Sequence, residues 1–300
     1  MTPKTQLHHV KTYLHAAAQD VFHSGDAWYW RLRERMTPGL RNAQYAYFET
    51  LDASLDEGDR WLDLGCGRRL VPTWMRNANT MESELLGRAS QVVGIDPDHE
   101  ALEDNALPIT KHHGNAERVP EPDGSFDLIT ANMVAEHLDD PVAVLREASR
   151  LLRPGGRLIL HTPNRWYPVT ALASCVPSSL RQRVTSWLEK RQSCDIYPTR
   201  YRLNHPATIR RLAWQAGLSY ERIYMAPDSP ETVRMGPLVG VELALIALTR
   251  TRYLHALQSN LIVTLCKQDY GDAPRGLDLY DISPYELPSV GKRRTRGAAA

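Results

Sequence analysis

Short apolar runs alternate with helix-like patterns through the middle of the chain. Between residues 58 and 163 this alternation is typical of a parallel sheet covered by helices. The strand candidates are Arg60–Leu64, Gln91–Asp96, Phe126–Ala131, Gly156–His161, Ser219–Tyr224 and Leu261–Lys267. The first four are short and apolar, as strands buried on both faces should be. The pattern therefore predicts an α/β fold.

The helical patterns between these strand candidates differ in clarity. Pro141–Leu152 carries its apolar residues on one face, has proline in its first turn and is followed by a Pro-Gly-Gly turn. The segment 68–90 is long for a single helix, and we expect an extra turn or loop around Asn77–Ser83.

Three regions follow from these patterns. Residues 1–57 predict an N-terminal helical cap, and residues 58–270 predict the main domain, with insertions at about 164–200 and 228–258. Residues 271–300 are polar, contain proline and glycine, and end in KRRTRGAAA, which is typical of a disordered tail.

Composition and charge are those of an ordinary globular protein. Apolar residues make up 42% of the chain, charged residues 24%, and the formal net charge is +1, so no overall field attracts nucleic acid or an anionic membrane. The four cysteines form no CxxC pair, and we expect reduced thiols and no metal site. The N-terminus lacks the apolar core of a secretory signal. We therefore expect a cytoplasmic protein.

A glycine turn follows the first strand candidate. Gly65 and Gly67, in WLDLGCG, allow backbone amides to approach a ligand. Such a turn also serves dinucleotide sites and plain tight turns. Asp63 favours a different ligand, because its carboxylate repels a pyrophosphate and suits a positive ammonium group, such as that of S-adenosylmethionine.

Polar residues also follow the next strand candidates. Asp96 ends the second one, where a carboxylate can accept hydrogen bonds from both ribose hydroxyls of a nucleoside. The alternative is that Asp96 caps the next helix. Asn115 lies in a loop before Phe126, and its amide is suited to an adenine edge.

Five motifs, in this order, resemble the class I S-adenosylmethionine-dependent methyltransferases. They are LDLGCG, VVGIDPD, GNAERVPEPDGSFDLI, EHLDDP and LRPGGRLIL, within residues 58–163. The chain is most similar to the small-molecule group that includes quinone-biosynthesis, sugar and natural-product enzymes. The resemblance implies a Rossmann-like, doubly wound, mostly parallel seven-stranded sheet with an N-terminal helical cap and a lid insertion. It also implies S-adenosyl-L-methionine as the cofactor.

The resemblance assigns roles to individual residues. The expected cofactor-binding residues are Asp63, Gly65, Cys66, Gly67, Asp96, Pro97, Asn115, Ala116 and Asn132. Different members of this set would contact the aminocarboxypropyl part of the cofactor, its ribose, its adenine and its methyl group. Two positions depart from the family pattern, because Arg69 stands where a third glycine is usual and Asn115 where aspartate is frequent.

Methyl transfer from a sulfonium chiefly requires alignment of the acceptor and exclusion of water. A general base helps where the acceptor is protonated, and the candidates are His137 and His161, each of which has packing as an alternative role. The sequence TANMVAEH lacks the Asp/Asn-Pro-Pro-Tyr motif of amino-methylating enzymes. This favours O- or C-methylation of a small molecule.

Residues outside the five motifs should select the acceptor. The N-terminal region is rich in aromatic residues, and the segment 181–211 is rich in arginine and lysine. The alternative for the aromatic residues is that they dock the cap on the main domain. The alternative for the basic segment is a solvated helix face. The candidate substrate residues are Trp28, Tyr29, Arg69, Arg200, Tyr201 and Arg202. They would fit an anionic, sugar or lipid-linked acceptor.

The apolar segment Gly236–Thr249 predicts a buried or interface helix. It is too short to span a bilayer, for which ~18–20 residues are needed. Contact with a membrane surface remains open, because Arg250 and Arg252 follow it. The sequence does not determine the oligomeric state.

Three other functions compete with methyl transfer. A catalytically impaired or regulatory S-adenosylmethionine-binding protein would explain Arg69. A dinucleotide-dependent dehydrogenase is disfavoured by Asp63 and by the lack of Gly-x-Gly-x-x-Gly. Nucleic-acid methylation is disfavoured by the near-neutral charge, although the KRRTR sequence in the tail supports it.

Overall fold

The described chain forms one seven-stranded sheet with helices on both faces. The structure, a computed structural model, describes residues 27–174, 199–230, 236 and 238–268. The strands are β1 (Arg60–Leu64), β2 (Gln91–Asp96), β3 (Thr110–His113), β4 (Phe126–Asn132), β5 (Leu152–Pro163), β6 (Leu218–Ala226) and β7 (Asn260–Lys267). The helices are α1 (Ala27–Met36), α2 (Ala43–Ser54), α3 (Ala78–Arg88), α4 (His99–Asp104), α5 (Pro141–Leu151), α6 (Pro168–Ser174), α7 (Pro206–Gln215) and α8 (Leu238–Thr249), with a 3-10 turn at His255–Leu257.

The strand order creates a crevice at one edge of the sheet. The order is β3-β2-β1-β4-β5-β7-β6, and β7 alone runs antiparallel to its neighbours. The order reverses between β1 and β4, and ligands of open α/β sheets bind outside the carboxyl ends of the strands at such a point. The predicted mostly parallel, seven-stranded Rossmann-like sheet is confirmed.

Successive residues of the central strands pack alternately into two hydrophobic cores, one on each face of the sheet. Trp61 and Leu128 pack on the face covered by α2 and α3, whereas Leu62 and Ile129 pack on the face covered by α5 and α7. This alternation explains why the sequence of each strand is continuously apolar. Helix α2, from the predicted cap, buries Tyr47, Phe48 and Leu51 in the first of these cores.

The structure corrects two of the sequence expectations. Strand β3 was not predicted, because its sequence, TKHH, is short, polar and mostly exposed at the sheet edge. The loop expected around Asn77–Ser83 is wrong, since α3 begins at Ala78 and the irregular segment precedes it. The predicted helix over Pro141–Leu152 is confirmed, with its end at Leu151.

Several expectations lie outside the described residues. These are the structure of residues 1–26, the greater part of the lid insertion (175–198) and the tail (271–300). None of the helices that the structure describes is long and apolar enough to span a bilayer.

Candidate active site

The glycine turn after β1 is fastened to the end of β2. Gly65 and Gly67 have φ values of +69° and +48°, in the left-handed region that favours glycine. The Gly65 amide donates to the Ile95 carbonyl at 2.8 Å, and the Gly67 amide donates to Asp96 Oδ2 at 2.8 Å. The turn and the terminal carboxylate of β2 therefore form one unit.

The two glycines differ in their surroundings. A Cβ on Gly65 would lie 2.4 Å from Val134 Cγ2, so close packing excludes any side chain there. A Cβ on Gly67 would meet no atom within 4 Å. Gly65 is thus required by the protein's own packing, whereas Gly67 exposes its backbone to open space. Cys66, between them, is buried, and its sulfur would lie 2.5 Å from a Cβ on Gly94.

Asp63 is a buried carboxyl group at the end of β1. Its Oδ1 accepts a hydrogen bond from the Thr130 hydroxyl at 2.5 Å, and that hydroxyl oxygen accepts from Trp61 Nε1 at 2.7 Å. Burial, together with the charge of Asp96, raises the pKa of Asp63 to about 7, although the Thr130 hydrogen bond acts in the opposite direction. Burial and the charge of Asp63 also raise the pKa of Tyr47 well above 10.

No cationic side chain in the described part of the chain pairs with Asp63. A buried carboxylate is costly unless a positive group or several donors accompany it. A ligand with an ammonium group is therefore chemically matched to this position.

Asp96 is held by backbone donors on both of its oxygens. Oδ1 accepts from the Asp98 amide at 2.8 Å, and Oδ2 accepts from Gly67. The alternative that Asp96 caps the next helix is wrong, because Asp98 is the N-cap of α4 and accepts from the Ala101 amide at 3.1 Å. Each oxygen of Asp96 keeps a second lone pair, so the fixed carboxylate can still accept hydrogen bonds from two hydroxyl groups.

The loop after β3 lies beside Asp96. The Gly114 amide donates to the Asp96 carbonyl at 3.0 Å, which places the exposed Asn115 and the half-buried Ala116 next along the same edge. The Pro97 carbonyl is 3.1 Å from His113 Nε2. The structure thus brings together the residues predicted for the cofactor at the ends of β1, β2 and β3.

Asn132, at the end of β4, is clamped between a helix and a strand. Its Nδ2 donates to Gln44 Oε1 of α2 at 3.1 Å, and its Oδ1 is 2.8 Å from His161 Nδ1 of β5. His161 is fully buried and stacks on Tyr47, with ring centroids 5.5 Å apart. Burial lowers the pKa of His161 to about 4. His161 is thus neutral near pH 7, and its polar contact with this edge of the sheet is the one with Asn132.

His137 occupies the more open position after β4. It is half-buried, its amide donates to the Val134 carbonyl at 2.9 Å, and its Nε2 lies 3.9 Å from Oε1 of the buried Glu136. Glu136 Oε2 accepts from the Thr162 hydroxyl at 3.0 Å, which fixes the carboxylate.

The segment at residues 199–204 is anchored to this same loop. The amides of Arg200 and Tyr201 donate to the Glu136 carbonyl at 2.6 and 3.1 Å. The Arg200 guanidinium pairs with the Asp139 carboxylate at 3.0 Å, and Arg202 donates to the Asp139 carbonyl. These candidate substrate residues therefore border the loop after β4.

The other three candidate substrate residues make different contacts. Arg69 binds Glu82 of α3 at 2.6 Å and also Asn79. Tyr29 is buried against α8, and its neighbour Trp28 is half-exposed. The structure thus gives Arg69 and Tyr29 packing partners within the protein and does not bring either to Asn132.

Several residues of the site escaped prediction. Thr130 is a polar residue in an apolar strand, and that mismatch was an available signal. The sequence gave no signal for Gln44, because its contact with Asn132 joins residues that are 88 positions apart. Asn105, whose Nδ2 donates to the Gly67 carbonyl at 2.8 Å, sits just past a helix end and looks like an ordinary cap.

The sequence is also similar to known proteins and matches one family model. Residues 39–223 match the family model described as a methyltransferase domain. The ubiquinone biosynthesis O-methyltransferase of Xanthomonas oryzae pv. oryzae is 35% identical over 124 residues, which cover 41% of this chain and 51% of that protein. The 27-O-demethylrifamycin SV methyltransferase of Amycolatopsis mediterranei is 30% identical over 136 residues, which cover 40% and 50%. The chain thus spans about half the length of these curated relatives.

A solved structure shares the fold. A chain of the complex that contains the Haloferax volcanii Trm112 methyltransferase activator superposes with a TM-score of 0.50 and 19% identity, over 83% of this chain and 97% of that one. The buried carboxyl group of Asp63 fits the ammonium group of S-adenosylmethionine, and the fixed carboxylate of Asp96 fits its ribose hydroxyls. The open space at Gly67 lets the cofactor approach the backbone. The family match covers more than half of the chain, and the chain belongs to the class I S-adenosylmethionine-dependent methyltransferases.

Proposed function

We propose that this protein transfers a methyl group from S-adenosylmethionine to a hydroxyl group of a small-molecule acceptor. The observation that carries the proposal is the convergence of Asp63, Gly67, Asp96 and Asn132 at neighbouring strand ends, on both sides of the position between β1 and β4 where the strand order reverses. A hydroxyl acceptor is supported by two relatives, the ubiquinone biosynthesis O-methyltransferase and the 27-O-demethylrifamycin SV methyltransferase.

Each of the cofactor residues has one task in this proposal. Asp63 pairs with the ammonium group, Asp96 accepts from the ribose hydroxyls, and Asn115 with Ala116 borders the adenine. When bound, S-adenosylmethionine supplies an activated methyl group on a sulfonium. The protein therefore has to position the acceptor oxygen, exclude water and receive a proton.

His137 is the residue we assign as the general base. It lies on the loop after β4, five residues beyond Asn132, and is more accessible than His161. The Glu136 carboxylate, 3.9 Å from Nε2, would stabilise the imidazolium that forms when His137 takes the acceptor's proton. His161 is buried against Tyr47 and is a positioning residue for Asn132.

A small pocket next to α2 supports an anionic group on the acceptor. Its volume is about 130 Å³, enough for part of a small molecule. Arg41, which is ion-paired with Glu49, lines it with Asn42, Arg250 and Gln258, whose Oε1 accepts no hydrogen bond from the described residues. Gln44, two residues beyond Asn42, contacts Asn132, so the pocket and the methyl-transfer position share the first turn of α2.

Transfer of labelled methyl to a panel of hydroxyl compounds tests the proposal. The panel pairs neutral phenols and sugars with their carboxylated or phosphorylated counterparts. We expect turnover on at least one hydroxyl compound and a lower KM for its anionic counterpart. His137→Gln should lower kcat at least about tenfold, because the acceptor's proton then lacks a base.

Two controls sharpen this experiment. Calorimetric titration with S-adenosylmethionine, its demethylated product and NADH should show saturable binding of the first two alone. His112→Gln is the matched histidine control, because the His112 ring lies 3.0 Å from Glu121, which binds Arg60 at the opposite end of β1, and it should leave kcat unchanged. Tight cofactor binding without turnover on any acceptor would contradict the proposal.

The clamp on Asn132 yields a separate prediction. Gln44→Ala should lower kcat by about tenfold with little change in cofactor affinity, since Asn132 would lose one of the two contacts that orient it. Gln44→Glu keeps an acceptor for Asn132 Nδ2 and should restore most of the rate. Thr50→Ala, on the same helix, removes only a hydrogen bond to the Ala46 carbonyl and should behave as wild type. Equal rates for Gln44→Ala and wild type would refute the clamp.

A further inference from the structure

Helix α8 is apolar on its outer face as well as on its inner face. Val239, Leu243 and Ile246 are buried, and the first two pack against Tyr29 of α1. Leu238, Val241 and Leu248 lie at helical spacing on the opposite side, and Val241 is 68% and Leu248 52% exposed. A helix that is apolar all round normally lies in a protein core or in contact with another apolar phase.

The charges of this segment are arranged at one end. Glu242, the one acidic residue of α8, is buried and therefore contributes nothing to the outer face. Arg250 and Arg252 follow the helix, and Tyr253 is 86% exposed with the Arg252 guanidinium 5.8 Å from its ring centroid. Exposed apolar patches mark sites of contact with a protein or a membrane, and tyrosine is enriched where an apolar surface meets the headgroup layer.

A second copy of the chain fits this surface less well. Leu238, Val241, Leu248 and Tyr253 form a patch of four exposed side chains, whereas a specific protein interface takes roughly 20–30 residues from each partner. The positive charge beside the stripe complements an anionic headgroup layer, in which each arginine near the surface contributes to binding.

We propose that the outer face of α8, with Arg252 and Tyr253, binds the surface of an anionic membrane. The apolar side chains would enter the boundary between headgroups and acyl chains, and the helix would lie parallel to the membrane without crossing it. Arg250 also lines the pocket beside α2, so the lipid-binding face borders that pocket. The proposal does not depend on which acceptor is methylated.

Cosedimentation of the full chain with vesicles tests the proposal. We expect binding to vesicles of phosphatidylcholine with one third phosphatidylglycerol to be at least about tenfold tighter than to phosphatidylcholine alone, and to weaken as salt is raised. Val241→Gln combined with Leu248→Gln should reduce binding at least about tenfold, and Arg252→Gln should reduce it roughly fivefold.

The matched control is Trp214→Gln on α7, which removes an apolar residue of similar exposure, 55%, from another surface. It should leave vesicle binding unchanged, and thermal unfolding should confirm that every variant is folded. Absence of vesicle binding, or binding that the double variant and Arg252→Gln both leave intact, would overturn the proposal. A lipid-free dimer that the double variant dissociates would assign the face to a second copy instead.

Discussion

Replacing Gly67 with alanine is expected to weaken S-adenosylmethionine binding roughly 100-fold, the upper range for one excess methyl group in a packed site. A Cβ at this position meets no protein atom within 4 Å, so it would project into the space where the cofactor approaches the backbone. The Gly67 amide also holds Asp96 at 2.8 Å, and a shifted turn would misplace that carboxylate. Titration calorimetry measures the loss directly.

Gly58→Ala is the matched control for backbone strain. Gly58 has a φ of +84°, a Cβ there would also meet nothing within 4 Å, and the residue lies in the turn before β1, away from the glycine turn. Both substitutions should cost about 1–2 kcal/mol of stability, because alanine is strained in the left-handed region. Only Gly67→Ala should impair cofactor binding. Equal binding losses in the two variants would show that strain, and not the occupied space, is responsible.

The strands that form the site were predictable because they are buried on both faces. Continuous apolar runs ended at Leu64 and Asp96, where the structure also ends β1 and β2. Strand β3 lies at the edge, and its side chains are not required to be apolar, so pattern alone could not find it. The site residues at the ends of the buried strands could likewise be predicted, whereas the edge strand that precedes Asn115 could not.

Arg69 shows where a single sequence leaves a role open. At the usual position of a third glycine, its cationic side chain was expected either to point away from the cofactor or to reach toward the substrate, and it was the basis for the alternative of an impaired site. The structure pairs it with the buried Glu82, whose other oxygen accepts from the amides of Leu70 and Val71 at 3.1 Å. Arg69 thus stabilises the segment before α3. Its partner is 13 residues away, and only the folded chain identifies it.

The aromatic residues of the N-terminal region were open to two interpretations. Tyr47 and Phe48 pack α2 on the sheet and Tyr29 packs α1 on α8, which is the docking role. Helix α2 nevertheless reaches the site through Gln44, a polar residue that composition gave no reason to select. The contribution of the cap to the site depends on a hydrogen bond between distant segments, which residue patterns do not encode.

Cofactor binding is expected to tighten about tenfold for each pH unit between pH 5 and pH 7 and to level off above pH 7. The pKa of Asp63 is raised to about 7, chiefly by burial, so the free protein carries a protonated Asp63 over most of this range. The ammonium group of S-adenosylmethionine favours the ionised carboxylate, and binding must therefore release a proton. The stability of the free protein follows the opposite trend. A carboxyl group whose pKa is raised by folding stabilises the protonated folded state, and this contribution is lost as the pH rises from about 4 through about 7.

Asp63→Asn isolates this effect, because asparagine keeps an acceptor for the Thr130 hydroxyl and cannot titrate. The variant should bind with nearly constant affinity from pH 5 to pH 7, and the gap between variant and wild type should widen toward pH 7. Calorimetry in buffers of different ionisation enthalpy should find close to one proton released per cofactor bound at pH 6 in the wild type and close to none in the variant. A wild-type affinity that does not change with pH, or an equal slope in Asp63→Asn, would mean that Asp63 is not the ammonium's partner. The buried carboxyl group would then serve the packing of Thr130 and Trp61 alone.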